Sequence, residues 1–230
     1  MVTQLILVPS AIELAAVPHE MQRRWLDAGV AVELCGIGPI AAAAMTSHLL
    51  ARLRPAKVTL MGIAGAYRAA AQGGVERATM PRAADGCVVG CAYQFGTILC
   101  HGIGVGEGIR HRSDSELGWD RTLQLPSVPR QIKLEVGGPA AGQAVGQVLL
   151  SVCAASIDED EAAERQRRHP QAAAEDMESY AVAVACRIAD TPLGVVRGIS
   201  NITGDRNHHR WKIDAAMASA ARCVDDVAFS

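Results

Sequence analysis

Three short stretches of this chain gather side chains that can move protons or hold polar groups. The first is Ser10-Ala11-Ile12-Glu13. A carboxylate in a closed pocket works as a general base near neutral pH when burial raises its pKa. The same S-x-x-E spacing is also that of a capping box, in which Glu13 does no more than close the first turn of a helix. A carboxylate turned back onto Ser10 leaves a water to be activated elsewhere. The second stretch is Glu175-Asp176-Met177-Glu178-Ser179-Tyr180, directly before the apolar run Ala181–Cys186. Glu178 is either a ligand-binding acid or one of several acids complementing a helix N-terminus. The third runs from Val195 through Arg197 and Asn201 to Arg206. An apolar strand here delivers a polar cluster at its carboxyl end, where open α/β sheets collect ligand-binding groups. Asn201 serves equally well as a cap for the next turn.

The elements that must position these residues alternate between short β-branched runs and longer helical stretches, the pattern of a sheet covered by helices. Gln4–Val8 reads as a buried strand, Ser10–Ala28 as a helix, Val30–Leu34 as a strand and Pro39–Arg52 as a helix ended by Pro55. Lys57–Met61 is a strand that runs into Gly62-Ile63-Ala64-Gly65-Ala66, where backbone can approach a ligand closely. Further on, Cys87–Tyr93 and Ile98–Ile103 read as strands, Gly102–Gly108 as a loop and Trp119–Pro129 as a surface connection. Ala140–Leu149 reads as helical and Val148–Ala154 as extended. Asp158–Arg168 and Ala172–Ala189 read as helices, Leu193–Ile199 as a strand and Ile213–Val227 as a closing helix. No repeat or composition break divides the chain, which predicts one α/β domain over residues 1–230.

Composition removes several function classes. The chain has 230 residues with 22 Lys and Arg against 24 Asp and Glu, and only 3% aromatic residues. That balance offers no electrostatic footprint for nucleic acid or an anionic membrane, and few platforms for base stacking. The apolar opening Leu5–Val8 stops at Pro9, short of the ~20 residues of a spanning helix, and no basic residue precedes it. A cytoplasmic protein is expected, with its seven cysteines reduced and mostly buried. Gly102–Gly108 fits no G-x-G-x-x-G register, which removes a dinucleotide site. Cys87, Cys91, Cys100 and His101 lack a C-x-x-C pair, so no metal is assigned. His208-His209, beside Arg206, Arg210 and Trp211, reads as a solvated loop unless other polar groups converge on it.

Taken together, Gly62-Ile63-Ala64-Gly65, His169-Pro170-Gln171-Ala172, Glu175-Asp176-Met177-Glu178 and Val196-Arg197-Gly198-Ile199-Ser200-Asn201 resemble the nucleoside phosphorylase and nucleosidase superfamily. Order and spacing match along nearly the whole chain. Within it, Pro9–Glu13, Gly104-Val105-Gly106-Glu107 and Gly198–Trp211 look most like the futalosine hydrolases. Gly73–Cys91 departs most from the pattern, and no role is carried over there.

The resemblance implies a single-domain three-layer sandwich around a twisted mixed sheet, and cleavage of a purine nucleoside at the C1′–N9 bond without a cofactor. It makes Glu178 the ribose-binding carboxylate, with Met177 against the sugar, and Glu13 the residue that orients and deprotonates the attacking water. Phosphorolytic relatives carry a Gly-Asp-Pro-x-Arg type segment where this chain has Pro9–Glu13, which favours water as nucleophile. Asn201 stands where adenine-specific relatives carry Asp. Its amide can donate to the N7 and O6 acceptors of hypoxanthine, with the final proton coming from Asp205, from water or not at all. Ser156 and Ile157 would flank the base, and Ala64 and Gly65 would lie near sugar and nucleophile. Arg206, His208, Arg210 and Trp211 are candidates for a carboxylated group on the 5′ side. Relatives imply a homo-oligomer with subunit contacts near the pocket. Alternatives are a methylthioadenosine-type or other purine nucleosidase, a phosphorylase, and a non-catalytic nucleoside-binding protein.

Overall fold

The computed structural model describes residues 2–68, 87–119, 129–134 and 147–228. The elements are β1 (Gln4–Val8), α1 (Ala11–Ala15), α2 (His19–Asp27), β2 (Ala31–Leu34), α3 (Pro39–Leu53), β3 (Lys57–Ala66), β4 (Ala92–Cys100), β5 (Gly104–Val105), β6 (Arg112–Ser113), β7 (Gln131–Lys133), β8 (Gln147–Ser151), α4 (Glu159–Arg168), β9 (Ala172–Asp176), α5 (Ser179–Ile188), β10 (Leu193–Ile202) and α6 (Ile213–Ala228). The mixed sheet runs β10-β4-β8-β9-β3-β1-β2, with β7 on β4 and a further pairing of β10 with β3. That last pairing bends five strands into a closed ring. Strand β3 is its hinge post: one edge takes β10 in parallel, the other takes β1 in parallel and then β9 antiparallel.

Both faces of the sheet are covered, which is why Leu5–Val8 of β1 are all apolar rather than alternating. Its successive side chains point to opposite layers. Leu5 and Leu7 join the core that includes Leu49 and Leu50 of α3 and Val182 of α5. Ile6 and Val8 join Trp25 of α2 and Met217, Ala220 and Val224 of α6. Helices on both sides of a mixed sheet make the expected three-layer α/β architecture.

Several boundaries differ from the sequence expectation for identifiable reasons. The helix expected over Ser10–Ala28 is two helices, because Pro18 lacks the N–H that a continuous helix needs and instead caps the second. Ala172–Ala189 is not one helix. Its first five residues form β9 between β8 and the end of β3, so pairing overrides the helix preference of alanine. The strand expected over Lys57–Met61 continues through residues 62–66 as the second half of β3. The two strands expected around Tyr93 and Ile98 are one, β4, and a short β5–β6 hairpin interrupts the glycine-rich loop. The expectations for 73–86, for 120–128 within the surface connection and for 140–146 within the helical stretch lie outside the described residues. All seven cysteines are free thiols, of which Cys91 and Cys153 are exposed.

Candidate active site

Glu13 lies in the short helix α1, at the carboxyl end of β1, and is 6% exposed. Its backbone N–H donates to Ser10 Oγ at 3.2 Å, while Ser10 Oγ donates to Glu13 Oε2 at 2.6 Å. The other carboxylate oxygen, Oε1, accepts the Ile63 backbone N–H from β3 at 2.9 Å. The cap is therefore present, and it does not turn the acid away from the cavity, which Glu13 lines. The expected choice between cap and site is corrected: each carboxylate oxygen has two lone pairs, and the fold uses one of each.

Behind Glu13 sits Arg197, whose side chain has no solvent exposure. From the middle of β10 its Nε and Nη2 donate to Asp176 Oδ2 at 3.0 and 2.5 Å, and Nη2 also reaches Glu178 Oε2 at 3.2 Å. Nη1 is buried with no hydrogen-bond partner among the described residues. A Cβ on Gly62 would stand 2.0 Å from Nη1 and 2.8 Å from Glu13 Oε1. Gly62 is thus glycine to let the guanidinium and the Glu13 carboxylate pass, rather than to admit a ligand.

Asp176 also takes the N–H and Oγ–H of Ser179, at 3.1 and 2.8 Å, and so caps α5. Glu178 holds the formal cap position but makes no capping bond. It turns instead to Gly38, whose N–H donates to Oε1 at 2.9 Å. Gly38 reaches it from a left-handed conformation, φ +81°, that favours glycine. Burial raises the pKa of Glu178 to about 7, against the opposing pull of Arg197 and with a further push from Asp176. One lone pair on each oxygen remains for a ligand. Helix-terminus complementation, the local explanation first open for Glu178, belongs to Asp176.

Strand β10 carries a bulge. Ile199 pairs with Ala64 and Asn201 with Gly65, leaving Ser200 as the extra residue. A bulge re-aims the side chain that follows, and Asn201 lines the cavity from the bulged strand end. Ser200 Oγ donates to Asn201 Oδ1 at 2.7 Å. The amide nitrogen donates to the carbonyls of Ile202 at 2.8 Å and Asp205 at 3.4 Å. The donor expected to be open toward a purine edge is therefore held by the loop, and only the longer, weaker contact is readily exchanged for a ligand acceptor. Asp205 does not line the cavity: its carboxylate accepts from Asn207 N–H and Arg210, each at 2.9 Å, and these bonds hold its pKa below the usual range. Asp205 is a poor proton donor in this setting.

Glu13, Asp176, Met177, Glu178, Ser200, Asn201, Ala64, Gly65 and Arg206 all line one cavity of about 440 Å³, a size within the range of small-molecule sites. Ser156 and Ile157 do not face it. Ser156 spends its N–H and Oγ–H on Glu175, at 2.8 and 2.9 Å, and Ile157 N–H bonds Glu161. Glu175 also takes the Tyr67 hydroxyl at 2.7 Å, so this buried acid anchors the loop and Ala155, the neighbour, contributes to the wall. Among the other candidates, Arg206, His208 and Trp211 line the cavity, while Arg210 is committed to Asp205. Sequence reasoning assigned no role to Arg197 or Asp176. The signal was available: an arginine inside the apolar run Val195–Ile199 has to find buried carboxylates. Among the described residues no group of three His, Cys, Asp or Glu is arranged to hold a metal ion, and no helix is long and apolar enough to cross a membrane.

Comparison with known proteins bears on this arrangement. Residues 140–228, which include Asp176, Glu178, Arg197 and Asn201, match the Phosphorylase superfamily. The chain is 31% identical over 114 residues to a futalosine hydrolase of Streptomyces coelicolor, covering 50% of this chain and 47% of that protein. It is 35% identical over 86 residues to a futalosine hydrolase of Acidothermus cellulolyticus, covering 36% and 35%. The matches thus span about half or less of these curated relatives. The fold is that of 5′-methylthioadenosine/S-adenosylhomocysteine nucleosidase from Neisseria meningitidis, solved with methylthio-immucillin-A: TM-score 0.71, 19% identity, 99% of both chains. Futalosine hydrolase of Helicobacter pylori superposes with TM-score 0.70 at 14% identity, over 100% of this chain and 98% of that one.

Proposed function

We propose that this chain is a cofactor-independent nucleosidase that hydrolyses the N-glycosidic bond of futalosine, releasing hypoxanthine and dehypoxanthine futalosine in menaquinone biosynthesis. The observation that carries the reading is the convergence of Glu13, Glu178 and Asn201, from three separate strand ends, on one cavity backed by the buried Arg197. The names of the curated relatives supply the substrate.

In this reading the nucleoside lies with its ribose hydroxyls on Glu178 and its sugar face on Met177. Glu178 keeps one open lone pair on each oxygen, enough to accept from both hydroxyls. A water held by the remaining lone pairs of Glu13 stands beneath C1′. As the C1′–N9 bond lengthens, positive charge grows on the ribose ring and negative charge on the purine. The acids favour the first, and Glu13 takes a proton from the water as it attacks. Arg197 fixes Asp176 and Glu178 relative to one another, so little reorganisation is needed when charge develops. At the base, Asn201 exchanges its long contact with the Asp205 carbonyl for a purine acceptor. With Asp205 held as a carboxylate, hydrogen bonding or solvent, not Asp205, completes the departure of hypoxanthine.

We further place the protein in the cytoplasm as a homo-oligomer acting on small molecules, with no nucleic acid or membrane partner. Ile12, Ile37 and Ile40 are 72%, 64% and 86% exposed, and the first two also line the cavity, which supports subunit contact at its mouth. The fold likeness to methylthioadenosine nucleosidases favours a second reading, an adenine-releasing enzyme, against which Asn201 argues. One assay tests both: purified protein with futalosine, methylthioadenosine and inosine, with and without phosphate, and identification of the liberated base. Hypoxanthine from futalosine without phosphate is expected. Adenine from methylthioadenosine with futalosine untouched would establish the second reading, strict phosphate dependence a phosphorylase, and binding without base release a non-catalytic protein.

A further inference from the structure

We infer that Glu175 reads the base: a lone pair on its Oε1 accepts the N1–H of a 6-oxopurine, so that the site selects 6-oxopurine over 6-aminopurine nucleosides. This rests on the nucleosidase reading and names the residue that narrows its substrate class. Glu175 and Asn201 belong to different strands, β9 and β10, yet both pair with Gly65 of β3, one at each of its edges. With neighbouring strands about 5 Å apart, the two positions stand roughly 10 Å from each other. The glycine between them has no side chain to fill the gap, and all three residues line the cavity. A flat heterocycle entering there meets Asn201 at one end of its polar edge and Glu175 at the other.

The polarities of the two are opposite. Asn201 Oδ1 is taken by Ser200, so the amide nitrogen, a donor, is what this residue offers. Glu175 is surrounded by donors. Its Oε2 accepts the Tyr67 hydroxyl at 2.7 Å, the Ser156 hydroxyl at 2.9 Å and Arg165 Nη1 at 3.4 Å. Among the described residues Oε1 accepts one bond, from Ser156 N–H at 2.8 Å, and keeps a lone pair. Tyr67 stays a donor, since burial and the neighbouring carboxylate push its pKa up, and Arg165 supplies the counter-charge. A 6-oxopurine presents acceptors at N7 and O6 and a donor at N1–H, which match a donor at Asn201 and an acceptor at Glu175. Adenine instead turns its N1 lone pair toward the carboxylate, and a buried acceptor left facing an acceptor is the costly arrangement. Anchoring of Ser156 by itself would not discriminate between bases, and that separates the two roles of Glu175.

The test measures calorimetrically the binding of hypoxanthine, adenine and 6-methoxypurine to the wild type, Glu175→Gln and Tyr67→Phe. The methoxy base keeps an oxygen at C6 but turns N1 into an acceptor. Exchanging a charge-assisted bond for repulsion predicts a wild-type preference for hypoxanthine over either other base of roughly 100-fold, falling to roughly 3-fold in Glu175→Gln, whose amide can turn a donor to N1. Tyr67→Phe removes an anchor from Oε2 and leaves Oε1, so its preference should stay near the wild-type value. No preference in the wild type, or an undiminished one in Glu175→Gln, overturns the role. A preference that collapses equally in Tyr67→Phe also overturns it, because loop anchoring then explains the effect. Should Glu175→Gln not fold, hypoxanthine labelled with nitrogen-15 at N1 decides on the wild type. A bound N1–H resonance that is shifted downfield and protected from solvent supports the role, and a rapidly exchanging one overturns it. Futalosine and its adenine counterpart are assayed in parallel: if neither releases a base while hypoxanthine is still bound in preference, the nucleosidase reading has failed and the base-reading role of Glu175 is supported without it.

Discussion

Replacing Arg197 with methionine removes a fully buried cation while keeping much of its volume. Three hydrogen bonds go with it, at 3.0 and 2.5 Å to Asp176 and 3.2 Å to Glu178. Asp176 keeps its two Ser179 donors and Glu178 keeps Gly38 N–H, but neither keeps a counter-ion. Breaking a buried pair by deleting one partner costs about 3–5 kcal/mol, a large share of the roughly 5–15 kcal/mol that holds a domain folded. The cost depends on pH. Glu178 already titrates near 7 because burial outweighs the guanidinium, and without Arg197 its pKa climbs further. An acid whose folded-state pKa exceeds its unfolded value binds protons on folding. Its favourable contribution is complete below the unfolded value and is lost as pH rises through the folded one. The gap between wild type and Arg197→Met should therefore widen from about pH 7 to about pH 9, where folded wild-type Glu178 has released its proton and the variant's has not. Urea unfolding followed by circular dichroism across that range measures it. A loss below about 1 kcal/mol that stays constant with pH would refute the account of Arg197 as shared counter-ion.

Glu178→Gln should lower kcat/KM by about 100-fold or more, since the amide cannot accept from both ribose hydroxyls or favour charge on the sugar; near-normal turnover would remove the ribose role. The same variant should gain stability relative to wild type as pH rises from about 4.5 to 7, where the unfolded wild type has released a proton that folded Glu178 still holds, and parallel pH profiles would contradict this. Gly62→Ala sets a Cβ 2.0 Å from Arg197 Nη1 and should cost about 1–3 kcal/mol together with most activity. Gly194→Ala, whose Cβ meets only Thr59 Oγ1 at 3.8 Å, is the control, and equal effects in the two variants would count against the close approach at Gly62. Asn201→Asp should shift base selectivity by about tenfold or more from hypoxanthine toward adenine nucleosides, read from competing-substrate assays; an unchanged ratio would take Asn201 out of base recognition.

Local pattern made the layers legible but not every element. β1, β3 and β10 announce themselves as apolar, β-branched runs because they are buried on both faces. Ala172–Asp176 does not, since alanine prefers a helix and only β8 and β3, distant in sequence, make it a strand. Pro18 is a helix breaker visible in the sequence, and it divides the helical stretch after Ser10 into α1 and α2. At the site, Glu13, Glu178, Met177 and Asn201 were singled out and share a cavity. For Ser156 and Ile157 only the resemblance speaks, and the buried Glu175 that claims Ser156 leaves no local signal, because its contact with the loop is long-range. Likewise, the local signal for Glu13 as a cap was correct and incomplete: the partner that also holds it toward the cavity, Ile63 N–H, comes from another strand.

The position of β3 has a mechanical consequence. Its neighbours β1, β9 and β10 lead into Glu13, Glu178 and Asn201 respectively, so the spacing of all three is set by hydrogen-bond ladders on a single ribbon. Such an arrangement has no soft joint between reactive groups and scaffold. Thermal loss of activity is therefore expected to coincide with loss of the sheet.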